Sequence, residues 1–319
     1  MARPSAIRGG IGRRTPPAVF TVIMGLLNLG IGWRVGAERF GLPGEPAEML
    51  LGAGVLVYLF AAAVYALKVV RRPGVAGEDL RTLPGRAGLS AMIMSVYLLA
   101  IVFVPYQTGL ANGLLAAGLG LHLVLVGALV NLFTHGPREQ AMVNPVWNLS
   151  FVAVLIGGIA AHQLGHDGLA QLIFGLGLLA AVPIWVVSTR QLLAKRPPPP
   201  LRPLLVIHLA PTALLGNVAH YLGYGVAAQG FAIASAGLVL LMLWHVRWLT
   251  AAGFSPFWGA FTFPVAAVGV FWLRLGGPWA PAGAAVILGA SVLIPWIAVR
   301  IVRLWMSGRL SAMTNAAVA

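Results

Sequence analysis

Cysteine is absent from all 319 residues. Disulfides, Cys-ligated zinc and iron–sulfur clusters are therefore excluded. Charge is scarce: 9% of residues are Asp, Glu, Lys or Arg, against roughly a quarter in soluble globular chains. Acids are scarcest, seven against 21 Lys and Arg, for a net charge of +14. No phosphate-cradling P-loop occurs in the sequence, which argues against an ATP-driven pump. Polar stretches long enough to fold as a soluble domain are missing too. A basic chain can bind nucleic acid, but that needs a basic stripe on a soluble face. Here the bases lie between apolar runs, so no nucleic-acid partner is expected.

What is present is hydrophobic: 59% of the residues. A helix needs roughly 20 apolar residues to cross a bilayer. Ten such runs are read, at about 17–36, 47–70, 88–106, 109–133, 143–163, 168–188, 203–227, 230–249, 255–275 and 281–304. The expected organisation is a basic tail over 1–16, one all-α polytopic domain over 17–306 and a short tail over 307–319. The first apolar run lacks an A-x-A-like cleavage site, so the basic start reads as a retained tail, not a signal peptide. Placing the N-terminus inside puts 18 Lys and Arg on the inner side and three, Arg34, Arg39 and Arg274, on the outer. The positive-inside rule then predicts cytoplasmic termini at both ends. The segment "KRPPPPLRP" reads as a stiff polyproline spacer.

The seven acids, Glu38, Glu45, Glu48, Glu78, Asp79, Glu139 and Asp167, all fall at or beyond the span ends. Ionisable groups at membrane depth mark ion pathways. Without a mid-span carboxylate a cation route is disfavoured, while an anion route needs none. Mid-span Arg and Lys are absent as well, which speaks against a tight ion-pair site and for an apolar path with a basic inner mouth. Although Pro183 and Pro295 fall in spans six and ten, the odd spans share a proline habit: Pro105, Pro145, Pro211 and Pro264. Broken backbone at membrane depth is tolerated where it lines a cavity, so these four are read as kinks around a pathway. Asn144 and Asn148 flank Pro145 and either satisfy freed backbone groups or meet a permeant ion. His208, Thr212 and Thr262 stand beside the prolines of spans seven and nine as further candidate lining residues. Intramembrane histidines could instead ligate haem. However, His208 and His220 are separated by about 18 Å of helical rise, so they cannot share one metal. His162 and His166 have an i, i+4 metal-ligand spacing but sit at an outer helix end. No metal or other cofactor is expected.

Four stretches, in order, carry a family resemblance: "FTVIMGLLNLGIGW", "VNPVWNLSFVAV", "VIHLAPTALLGNVAHYLG" and "FWGAFTFPVAAV". The chain resembles the tellurite-resistance/dicarboxylate transporter family, which includes TehA-type bacterial channels and plant slow anion channels. The resemblance implies five helical hairpins about a quasi-fivefold axis, with odd helices lining a central pore. It also implies a homotrimer in the bacterial inner membrane and a phenylalanine in the ninth helix that plugs the pore. That residue matches Phe263, aimed inward by Pro264, whereas Phe261 reads as packing. The expected function is passive passage of small monovalent anions such as chloride or nitrate. Alternatives are a secondary carrier of dicarboxylate, sulfite or tellurite, and a haem- or metal-dependent membrane oxidoreductase.

Overall fold

A computed structural model describes residues 10–319; residues 1–9 of the basic tail, with Arg3 and Arg8, lie outside the described residues. Ten principal helices follow one another: α1 (Val19–Phe40), α2 (Glu45–Arg71), α3 (Leu83–Phe103), α4 (Thr108–His135), α5 (Leu155–Gln163), α6 (Asp167–Ala194), α7 (Leu209–Tyr221), α8 (Gly225–Trp244), α9 (Thr262–Leu275) and α10 (Trp279–Met306). No strand occurs among the described residues. Apolar runs become helices here because hydrocarbon offers the backbone no hydrogen-bond partner, and a helix satisfies its own. Their ends carry local stop and start signals. Gly41, at φ 64°, closes α1 in a left-handed turn. The Thr82 hydroxyl accepts from Gly85 N at 3.1 Å to open α3, and the Gln107 amide oxygen accepts from Leu110 N at 2.6 Å to open α4.

Five of these helices close a ring. α1 packs on α3, α3 on α5, α5 on α7, α7 on α9, and α9 returns to α1. Each even-numbered helix packs on the odd helix before it, making five hairpins. Burial separates the two layers: 72–89% of the apolar window is buried in α1, α3 and the α7 and α9 segments, but only 17–33% in the even helices. The outward faces of the even helices carry bare apolar side chains such as Leu123, Leu179 and Val226, as a lipid-facing layer requires. Small residues let the inner helices approach closely. A methyl group added at Gly25 would strike the Thr262 side chain, and one at Gly88 would strike the Pro17 backbone.

The fifth crossing departs from the continuous span expected over 143–163. Counting each 3-10 lead-in with the helix it feeds, nine described segments are long and apolar enough to cross a membrane. Asn148–Gln163 is shorter and broken. It begins as a π-helical turn, Asn148–Val152, and only then becomes α5. Pro145, three residues upstream, cannot donate a backbone hydrogen bond, and the chain enters the membrane through this looser turn. The proline run also differs from an extended spacer. Pro199–His208 is a 3-10 helix leading into α7.

Segments 13–15 and 317–319 meet on one face. Asp79, which the sequence places in a loop, is fully buried and paired with the equally buried Lys68 at 2.9 Å. Tyr65 donates to the same carboxylate at 3.0 Å, and Ala317 N donates to its other oxygen at 2.8 Å. Lys68 also donates to the Thr15 carbonyl at 3.1 Å, and Ala319 N to that of Arg13 at 3.0 Å. The segment 307–319 is thus docked against the helical body, with a short helix at Arg309–Met313.

Candidate functional site: the axis of the five-helix ring

The odd helices run in the same direction, from the face where segments 13–15 and 317–319 meet toward the opposite face. Their axis contains two small cavities. The one nearer the termini has a volume of about 40 Å³. It is lined by Thr21 and Met24 of α1, Ala87 and Ala91 of α3, Leu149 of the π turn, and Leu204 and Ile207 of the lead-in to α7. Gly259 of the 3-10 segment Pro256–Phe261, and Phe263 and Pro264 from the start of α9, line its remaining side. The second has about 10 Å³, barely the space a single water needs. α1 contributes Asn28 and Ile31, α3 Leu98 and Ile101, α5 Ile156 and Ile159, and α7 Leu214 and Asn217; α9 contributes Phe263, Ala267, Val270 and Arg274. Phe263 is the one residue that lines both cavities, and it is only 3% exposed. Among the described residues no carboxylate lines either cavity.

The stripe on α9 follows from helical phase. Residues 263, 267, 270 and 274 recur at the four- and three-residue steps that keep one face. Over eleven residues the face drifts only about 20°, while the rise is about 16 Å. Phe263 and Arg274 therefore mark the two ends of one axial face.

Beyond Arg274 the axis opens into a vestibule of about 380 Å³. Arg34, Glu38, Arg39, Gln163, His220, Tyr221 and Arg274 supply its polar lining. All three arginines that the sequence assigns to the outer side converge here. Physical necessity accounts for two of them. The odd helices end at this face, so their terminal carbonyls gather there and carry partial negative charge. Arg34 donates to Val102 O near the end of α3 at 3.2 Å and pairs bidentately with Glu48 at 2.6 Å. Tyr106 donates to that carboxylate too, at 2.6 Å, a bond that pushes the tyrosine hydroxyl's pKa up. Arg39 donates to Leu273 O at 3.0 Å and Arg274 O at 2.9 Å, closing off the end of α9. Arg274 differs. Among the described residues no carboxylate lies within ion-pair distance of it. Its guanidinium reaches Asn217 Oδ1 only at 3.5 Å and lies 5.2 Å from the Tyr221 ring centroid.

The prolines are not kinks within continuous helices. Pro264 and Pro211 each occupy the third position of a helix that follows a 3-10 segment. There the missing N–H has no intrahelical partner to lose. Pro105 follows the end of α3 and borders the vestibule. Pro145 precedes the π turn.

The polar candidates are engaged with backbone or with one another. Thr262 Oγ1 donates to Thr21 O at 3.0 Å and Gly259 O at 2.8 Å, and Thr212 Oγ1 to Leu209 O at 2.8 Å. Asn144 Oδ1 accepts from Val146 N at 3.1 Å, the backbone-satisfying role. Asn148 Nδ2 lies 3.1 Å from His208 Nδ1, tying the π turn to the lead-in of α7. None of these five lines the cavities above. His122 is held between Tyr97 and the Ser150 carbonyl. His162 and His166 turn to different partners, Asp167 and Asn112, each at 2.7 Å. The axial polar groups that sequence reading passed over are Asn28, Asn217 and Arg274. Their signal was helical phase: a lone amide in each of two apolar spans, and an arginine in register with Phe263.

Comparison with the curated proteins gives no match. The model of the family described as SLAC1, voltage-dependent anion channel, matches residues 14–304. That match takes in every helix of the ring, so an all-α, multi-pass membrane protein built as five hairpins belongs to the SLAC1 family of anion channels.

Proposed function

We propose that the chain is a passive channel for small monovalent anions, with its path along the ring axis and Phe263 as its gate. The observation that carries this reading is that all five inner segments, counting the turns that lead into α5 and α7, line both axial cavities, and among the described residues Phe263 alone is common to the two. An apolar constriction stops ions by forcing them to shed water. Swinging a phenyl ring aside costs about 0.5–1.5 kcal/mol if the new rotamer is strained, so the ring is a suitable moving part. The absence of axial carboxylates favours anions. Inner-loop bases concentrate anions at the termini face, which the 18-to-3 charge split assigns to the cytoplasm. A homotrimer in a bacterial inner membrane, with 17–306 as the conducting domain, completes the proposal.

The test is current through planar bilayers. Phe263→Ala should raise anion conductance sharply over the parent chain, and Phe261→Ala should not. A folded, inserted Phe263→Ala that conducts no better than the parent sinks the gate. A carrier of dicarboxylate, sulfite or tellurite would show saturable exchange flux without unitary current steps.

A further inference from the structure

We infer that Arg274 forms a recognition site for a planar oxyanion, of the nitrate or carboxylate class, at the neck between vestibule and axis. The inference rests on the axial-pathway reading and sharpens its substrate. Ile31, Ile101 and Arg274 are the residues shared by the vestibule and the outer axial cavity. Two are apolar, so the only charge at the neck is the guanidinium. It is half-buried, with no carboxylate within ion-pair distance among the described residues. The other two vestibule arginines are already engaged, Arg34 by Glu48 and both by backbone carbonyls. Glu38, the one vestibule carboxylate, is exposed at the rim. Water screens it there more than it screens a group at the neck.

A guanidinium is a fixed fork of donors that fits two oxygens of one planar anion. Chloride offers a sphere and takes up no such geometry. Asn217, 3.5 Å from one terminal nitrogen, and Tyr221, 5.2 Å from the guanidinium carbon to its ring centroid, hold the fork in place without spending its charge. Among the described residues no arginine lies in the middle of a span, but Arg274 stands on the axial lining at the end of one.

The test uses the full chain in detergent and in bilayers. Nitrate or formate, titrated against chloride at constant ionic strength, should raise the thermal midpoint of the parent chain. Arg274→Gln should raise the half-saturating nitrate concentration about tenfold or more, the scale of one lost charge-assisted hydrogen bond. Arg274→Lys keeps the charge and loses the fork, so it should bind both ions with little preference. Arg303→Gln, on the exposed termini side of α10, should match the parent. In the conducting Phe263→Ala background, Arg274→Gln should lower the nitrate-to-chloride permeability ratio. Nitrate stabilisation that is absent in the parent, or intact in Arg274→Gln, overturns the site. Nitrate stabilisation lost only with Arg274, in a chain whose Phe263→Ala variant carries no current, keeps the site and removes the pathway reading.

Discussion

Lys68 and Asp79 show how much one pair of residues can carry. Both side chains are fully buried, and the pair is held by Tyr65, the Thr15 carbonyl and Ala317 N. Removing one partner leaves a buried charge with nothing to offset it, at a cost of about 3–5 kcal/mol. Asp79→Ala should accordingly lower the thermal midpoint in detergent by far more than Glu78→Ala, whose exposed pair with Arg72 is worth little. Equal midpoints for the two variants would show that the buried pair does not hold the chain ends. At Phe263 the expected cost differs. Phe263 has cavity space on both sides, so its removal joins two voids, and the penalty should fall at or below the lower end of the about 3–5 kcal/mol typical for burying and then truncating a phenylalanine. Reading these residues from sequence met uneven success. Phe263 was marked by its neighbour Pro264, whereas Asp79 looked like a loop acid because burial depends on which distant segments fold over it. Arg274 sat in plain view, but was counted only as a topology charge. Its place on the axis depends on the phase of α9 and on the ring that α9 completes.

At the scale of elements, three of the five inner segments share an irregular start and a regular finish. α5 follows a π turn, and α7 and α9 follow 3-10 segments. A proline in the first helical turn meets backbone that lacks an intrahelical partner anyway. Pro264→Ala and Pro211→Ala should therefore insert and fold with changes in stability within about 1 kcal/mol, and Pro264→Ala should stay closed in bilayers. A strongly conducting Pro264→Ala would mean that the proline, not the phenyl ring, sets the closed state. The close contact of α1 with α9 at Gly25 and Thr262 leaves no room for a branched side chain. Gly25→Val should lose folded protein, measured as the monodisperse fraction after solubilisation. The ten apolar runs were legible because hydrocarbon imposes a length on every crossing. The break in the fifth was not, because hydropathy registers composition and takes no account of which hydrogen-bond pattern the backbone chooses.

For the whole molecule, the charge distribution frames the expected behaviour. Arginines answer the carbonyl ends of the ring at one face, and loop bases crowd the other, so both mouths favour negative ions. In a salt gradient the Phe263→Ala channel should reverse near the anion equilibrium potential; reversal near that of the cation would end the anion reading. A reporter active only outside the cytoplasm, fused to the C-terminus, should stay silent, since the C-terminal segment lies on the face richer in bases. The odd–even layering was foreseeable from the family resemblance and is explained by burial.

The order of the helices along the chain bears on how the protein is made. Segments emerge from the ribosome N-terminus first, so α1 to α8 enter the membrane as an open arc. The arc closes only when α9 lies between α7 and α1, and α9 is the helix that carries Phe263. Under the gate proposed for Phe263, the segment that completes the wall also brings the stopper, so a growing chain would hold no finished tube without it.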